Sequence, residues 1–479
     1  MSAATTISAG TPDTAGRSSA ARVLTGSREG AAGLRTLDGL FSLAAARRPH
    51  EVVVADGGRE LTYESAESSS GRVASALLRY GVQLGDPVLV HCSDHAQALV
   101  AQLAVLKLGG VCVPVPHGVD DAALLRIADL SGATLVLCSS ATRERWPLPA
   151  MVLDDERTWA KITPLRVDGS LPRSSPADVA YLLTELGADG GVTGHLVDHR
   201  AWLFAVHDRL RRAGRPTRGV TAGQEVGGAR ALAAMWWAVA AGTRFHGPRP
   251  PGAGEAVLHL HGPGTAAVYG PDEYEAVLAG AGPGAGERLG TVLITGGPLP
   301  AGLVERHVEL LPFTRLLAEF SPRDGAMPWT AVDCTADARN APAADGRTVM
   351  GAAASRVRVT IRDAGGRVLP RGRTGQIWAA GTALPFDRLY DGCHESAADD
   401  RGSFTESGYN GRWTESGSLE VVGRTRAHAP AGAEHARTVR SHVQLSGETS
   451  EGPTGWEAPV EGPRPGSRPA RLCAGVVVT

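Results

Sequence analysis

Lysine is nearly missing from this chain: of 48 basic residues only Lys107 and Lys161 are lysines, and the other 46 are arginines. Any chemistry that needs an ε-amino group must use one of those two positions. No run of about 18 uncharged apolar residues occurs, which excludes an ordinary membrane-spanning helix, and the first residues lack the apolar segment of a secretory signal. The six cysteines, Cys92, Cys112, Cys138, Cys334, Cys393 and Cys473, include no CxxC pair. That pattern excludes the common zinc-knuckle spacing and a short-range disulfide framework, and it fits reduced thiols in a cytoplasm. The formal net charge of -2 leaves no bulk basic field to hold nucleic acid or an anionic membrane. Aromatics are sparse while Gly numbers 61, a balance that fits a GC-rich codon usage.

What is present is 479 residues, room for roughly two to four domains and a large core. Residues 1–34 are Ser, Thr, Ala and Gly with little to bury and are expected to form a disordered leader. Apolar periodicity then predicts helices over Leu37–Ala46, Tyr63–Tyr80, Ala96–Leu108, Asp120–Leu130, His199–Ala213, Ala231–Ala241 and Leu303–Leu311. Short apolar runs predict strands over Val52–Val54, Pro87–His91, Thr134–Cys138, Ala180–Leu183, Ala256–Leu260 and Thr291–Thr295. This alternation argues for parallel α/β sheets. From about Ser355 the texture turns to β, with strands over Val357–Asp363, Gly375–Ala379 and Leu419–Val422. Residues 438–469 are rich in Gly, Pro, Ser and Glu, and only Ala470–Val478 beyond them reads as a strand.

Several local signatures fall in one order along the chain. Leu61-Thr62-Tyr63 precedes a helix and Gly81-Val82-x-x-Gly85-Asp86; then come Ala104-Val105-Leu106-Lys107-Leu108-Gly109-Gly110 through Pro114, Thr291 to Gly297, Val368-Leu369-Pro370-x-Gly372-x-x-Gly375, and Leu419-Glu420-Val421-Val422-Gly423-Arg424. In this order they resemble the adenylate-forming (ANL, AMP-binding) superfamily, and within it the adenylation domains of nonribosomal peptide synthetases. The resemblance implies a large N-terminal domain of layered, flavodoxin-like α/β sheets with a small β-barrel-like region, spanning 35–424. Residues 425–479 would be a truncated remnant of the small C-terminal α+β domain, without the catalytic lysine that the family carries near its end.

The family holds ATP phosphates with a loop of the form AYxxYTSGSTGxPKG. The ungapped counterpart runs from Ala180 to Gly194 and keeps Gly187, Gly190 and Gly194, with Thr184 at the motif's second tyrosine, followed by His199-Arg200. Its donors are replaced: Glu185-Leu186 and Ala188-Asp189 stand for hydroxyl pairs, and Thr193 stands for the lysine. Two carboxylates facing a triphosphate would each be repelled by about 4 kcal/mol at about 4 Å in a surface-like dielectric. In the segment resembling NxYGPTE, Phe320 and Asp324 keep an aromatic ring and a charge, while Arg323 stands for the threonine. Tyr409 stands where the family's ribose-binding aspartate is expected, and a phenol lacks the paired acceptors for two hydroxyls. Ala229 occupies the position of the aspartate that pairs with a substrate ammonium, and Trp236 and His259 are expected to wall the substrate pocket.

These losses imply weak or absent ATP and Mg²⁺ binding and no resident metal. The expected function is a catalytically inactive adenylation domain acting as a structural or docking component of a cytoplasmic peptide assembly line. Its partners would be a carrier protein or neighbouring domains, with no nucleic acid and no membrane. The alternative is an ATP-independent enzyme that processes acyl thioesters by acyl transfer, condensation or cyclisation, with Glu185, Asp189, His259 and His261 as candidate acid/base groups. His91 and His95, four apart, are expected in a surface turn rather than around a metal.

Overall fold

The computed structural model describes residues 36–187, 190–222, 226–247, 264–280, 290–337, 348–385, 387–390, 393–395 and 404–425. The leader, all but the first residue of the C-terminal remnant, and the strands expected at Ala256–Leu260 and Ala470–Val478 lie outside them.

Among the described residues the chain builds sheets of eight, nine and five strands. The eight-stranded sheet has a parallel centre, where Pro87–His91 lies between Val111–Pro114 and Val136–Cys138. On one side it continues through Val179–Leu186 into an antiparallel flank made by Val192–Asp198 and Asp387–Tyr390. In the nine-stranded sheet Val52–Asp56, Phe245–His246, Gly219–Ala222, Thr265–Tyr269, Thr291–Gly296 and Arg315–Phe320 run parallel, with antiparallel strands at both edges. Parallel strands buried on both faces need continuous apolar runs, and Pro87–His91 is buried throughout.

The helix His95–Leu108 packs against strands of both large sheets, which explains why it is buried nearly all round instead of showing a polar face. Its Lys107 is therefore interior, and Nζ donates to Glu67 Oε1 at 2.7 Å and to Ser42 Oγ at 3.1 Å. Helix starts follow side-chain caps: Asp94, Asp120 and Asp198 each accept a backbone N–H three residues on. The second apolar helix, Ala229–Ala241, ends at Gly242 in the left-handed conformation, as a glycine stop does.

The β-rich part forms a sheet in the order Thr348–Val349, Leu419–Arg424, Thr405–Trp413, Gly375–Gly381 and Val357–Arg362, antiparallel throughout. Its two outer strands do not pair with each other, so among the described residues it is an open sheet. The barrel-like closure expected for this region is corrected accordingly. Among the described residues, no helix is long and apolar enough to cross a membrane.

Candidate functional site

The segment aligned with the phosphate loop is a β-hairpin. Strands Val179–Leu186 and Val192–Asp198 pair antiparallel with Glu185 opposite Thr193 and Thr184 opposite Gly194. Thr193 and Gly194 lie inside the second strand, while Gly187, Gly190 and Gly191 lie in the connection between the two. Within it the Gly187 N–H donates to Gly191 O at 2.8 Å and the Gly190 N–H donates to Gly187 O at 2.9 Å. Gly190 has φ +78, which only glycine adopts without strain. At Gly194 a Cβ would sit 2.7 Å from Leu182 Cδ1. Asp189 lies outside the described residues.

Alternation along the hairpin brings Glu185 and His195 to one face. His195 Nε2 lies 3.4 Å from Glu185 Oε2, and Arg323 Nη1 lies 4.0 Å from the same oxygen. Arg323 also donates from Nε to Glu406 O at 2.8 Å, so it bridges the hairpin to the small sheet. Next to it Asp324 Oδ1 accepts from the N–H groups of Ala326 and Met327 at 2.8 and 2.6 Å, while buried Oδ2 has no hydrogen-bond partner among the described residues. Burial raises the Asp324 carboxyl above its usual range, with His195 opposing that shift and Glu185 reinforcing it. His195 was not legible as a site residue from spacing alone. The period-two signal that marks it requires reading Val192–Asp198 as a strand.

Phe320 ends the strand Arg315–Phe320 with 0 % of its surface exposed. Its ring meets Trp329 edge-on at 6.2 Å and Tyr409 edge-on at 5.6 Å. Tyr409 reaches this position from the strand Thr405–Trp413, and its hydroxyl lies 3.4 Å from where a Cβ on Gly297 would stand. The Arg424 guanidinium lies over the outer side of the tyrosine, 5.4 Å from the ring centre. Phe320 thus packs against two of the chain's own rings.

The expected substrate wall is also revised. Trp236 is 0 % exposed and belongs to the core, where Nε1 donates to Tyr181 OH at 2.9 Å and that hydroxyl donates to Gln102 Oε1 at 2.9 Å. Ala229 opens its helix half-buried, facing Gly325. His259 and His261 lie outside the described residues. Among the described residues no three His, Cys, Asp or Glu side chains gather as a metal site.

His199 Nδ1 accepts the Leu37 N–H at 3.0 Å, and His91 Nδ1 accepts Trp146 Nε1–H at 3.0 Å, so both rings are neutral and protonated on Nε2. Burial lowers each to about 4 from an ordinary 6.5. Because the folded values are depressed, this stability is complete above pH 6.5 and drains as pH falls toward 4. Urea unfolding at pH 7 and pH 5 is expected to show a loss with a slope of about 2 kcal/mol per pH unit for the pair. A slope that persists in a His91→Gln/His199→Gln variant would assign it to other groups.

A family model described as AMP-binding enzyme matches residues 41–384. Among curated proteins, phosphinothricin tripeptide synthetase PhsB of Streptomyces viridochromogenes is 28% identical over 420 residues, covering 81% of this chain and 33% of that protein. PhsC of the same organism is 33% identical over 169 residues, 35% of this chain and 16% of that one. The chain thus spans a third or less of these curated relatives. Among solved structures, the artificially fused adenylation–PCP di-domain NpsA-ThdA from Klebsiella oxytoca superposes with a TM-score of 0.69 at 16% identity, over 82% of this chain and 79% of that one. The nonribosomal peptide synthetase FmoA3 in its AMPPNP-bound form gives 0.70 at 21% identity, over 81% and 42%. At these identities the structural likeness is one of fold.

Proposed function

The chain belongs to the AMP-binding enzyme family and has an adenylation-domain fold of the nonribosomal peptide synthetase type, and from that premise we propose that it has lost the adenylation reaction and serves as a structural or docking component of a cytoplasmic assembly line. One observation carries this reading: the ring that the family motifs assign to adenine stacking is buried against the chain's own aromatics. Phe320 has no exposed face, and Tyr409 meets it edge-on while its hydroxyl lies by Gly297. The hairpin supports the same reading, since the Gly187 and Gly190 amides bond within the turn and a carboxylate stands at 185. Negative charge there repels a triphosphate, where the fold's active members place hydroxyls. A carrier protein or neighbouring domain is the natural partner for such a component, as the adenylation–PCP composition of the NpsA-ThdA di-domain suggests.

Calorimetric titration with Mg-ATP is expected to give no saturable heat, and pyrophosphate exchange is expected to stay at background with amino and acyl acids. Thr193→Lys alone is expected to leave both unchanged, because the added ammonium does not open Phe320 or remove Glu185. Saturable ATP binding or exchange by the natural chain would overturn the proposal. The alternative, acyl-thioester processing without ATP, draws on the Glu185–His195 contact. It requires thioester turnover that Glu185→Gln abolishes.

A further inference from the structure

We propose that the outward face of the five-stranded sheet is a docking surface for an acidic protein partner. The inference rests on the docking half of the proposed function and is independent of whether nucleotide binds. Residues 356–373 contain six arginines, Arg356, Arg358, Arg362, Arg367, Arg371 and Arg373, and a single carboxylate, Asp363, in a chain whose net charge is -2. Asp363 is engaged in its own turn, where Oδ1 accepts the N–H groups of Gly365 and Arg367.

The strand Val357–Arg362 alternates: Val357, Val359 and Ile361 are buried, and Arg358, Thr360 and Arg362 face out. The Arg358 guanidinium lies 4.7 Å and that of Arg362 4.1 Å from the centre of the Phe404 ring, and Arg362 also lies 5.5 Å from the Trp378 ring. By register Trp378 stands between Thr360 on one neighbouring strand and Glu406 on the other. Stacking holds these long side chains in place before any partner arrives, which lowers the ordering cost of binding. Arginine and tryptophan at the centre of a patch are also the side chains that most often dominate protein interfaces. Val368, 62 % exposed beside Arg362, adds an apolar contact.

Arg358 and Arg362 outweigh Glu406, the carboxylate paired with Trp378 on this face, so charge complementarity selects an anionic occupant. Single-stranded nucleic acid would need free aromatic faces for its bases. Here the Phe404 ring carries two guanidiniums and Trp378 a third contact, so the observations favour carboxylates on a protein surface.

The test uses the full chain, a fluorescent twelve-residue polyglutamate peptide, and anisotropy at low salt. Arg358→Ala/Arg362→Ala removes the two guanidiniums that face outward from the strand. Arg47→Ala/Arg79→Ala removes two exposed charges from distant helices. The expected result is peptide binding loosened about fivefold by the first pair and unchanged by the second. Equal loosening by both pairs, no binding by the natural chain, or tighter binding of an oligo-dT of equal length would overturn the proposal. The ATP titration of the same preparation reports the loss of chemistry separately, so failure of one reading is distinct from failure of the other.

Discussion

Arg209→Met is expected to destabilise the protein by about 3–5 kcal/mol, because it leaves a buried carboxylate without its counter-charge. Arg209 stands on the helix His199–Ala213 and Glu319 on the strand Arg315–Phe320, with side chains 1 % and 4 % exposed. The guanidinium donates from Nε and Nη2 to Glu319 Oε2 at 3.0 and 2.9 Å, and Nη2 donates further to Ala326 O. The pair thus ties the helix to both ends of the segment holding Phe320 and Asp324. Burial raises the Glu319 carboxyl, and Arg209 opposes that shift. Removing both charges together, in Arg209→Met/Glu319→Leu, is expected to recover most of the loss, since well-packed apolar pairs replace buried ion pairs at little cost. Urea midpoints at constant m-value read both variants. A single-variant loss below about 1 kcal/mol would show that water reaches the pair.

Trp236→Ala is expected to cost about 3–5 kcal/mol, through the cavity it opens and the donor it takes from Tyr181. Trp236→Phe should cost less, about 1–3 kcal/mol, because the ring volume is mostly kept while the hydrogen bond to Tyr181 is lost. If the tryptophan lined an open substrate pocket instead, its truncation would change stability by well under 1 kcal/mol. The size of the effect therefore separates a core residue from a pocket wall.

Much of the layered core is legible in the sequence because burial on both faces writes itself as uninterrupted apolar runs. Pro87–His91 and the helix ending at Leu108 are examples, and aspartate caps place the helix starts within a residue. The strand Val192–Asp198 is not legible: its Thr-Gly-His-Leu-Val-Asp run has no strong β signature, and the phosphate-loop template laid over it implied a loop. The contacts that decide the site are of another kind. Tyr409 meets Phe320 and Gly297, and Glu185 meets Arg323, across separations in sequence that no periodicity reports. Trp236 shows the converse limit, since its place in an apolar helix agrees equally with a pocket wall and with the core it occupies. The arginine excess is visible as a count, but the meeting of Arg358 and Arg362 over Phe404 follows only from the alternation of their strand.

The packing of Tyr409 onto Phe320 also bears on the history open to this chain. A reversion to aspartate at 409 removes a ring contact from a buried phenylalanine and leaves that ring facing water. The step lowers stability before any ligand can repay it. On the proposed function, the buried contact between Tyr409 and Phe320 would make a return to aspartate at 409 costly in stability, whereas substitutions on the outer surface carry no such cost.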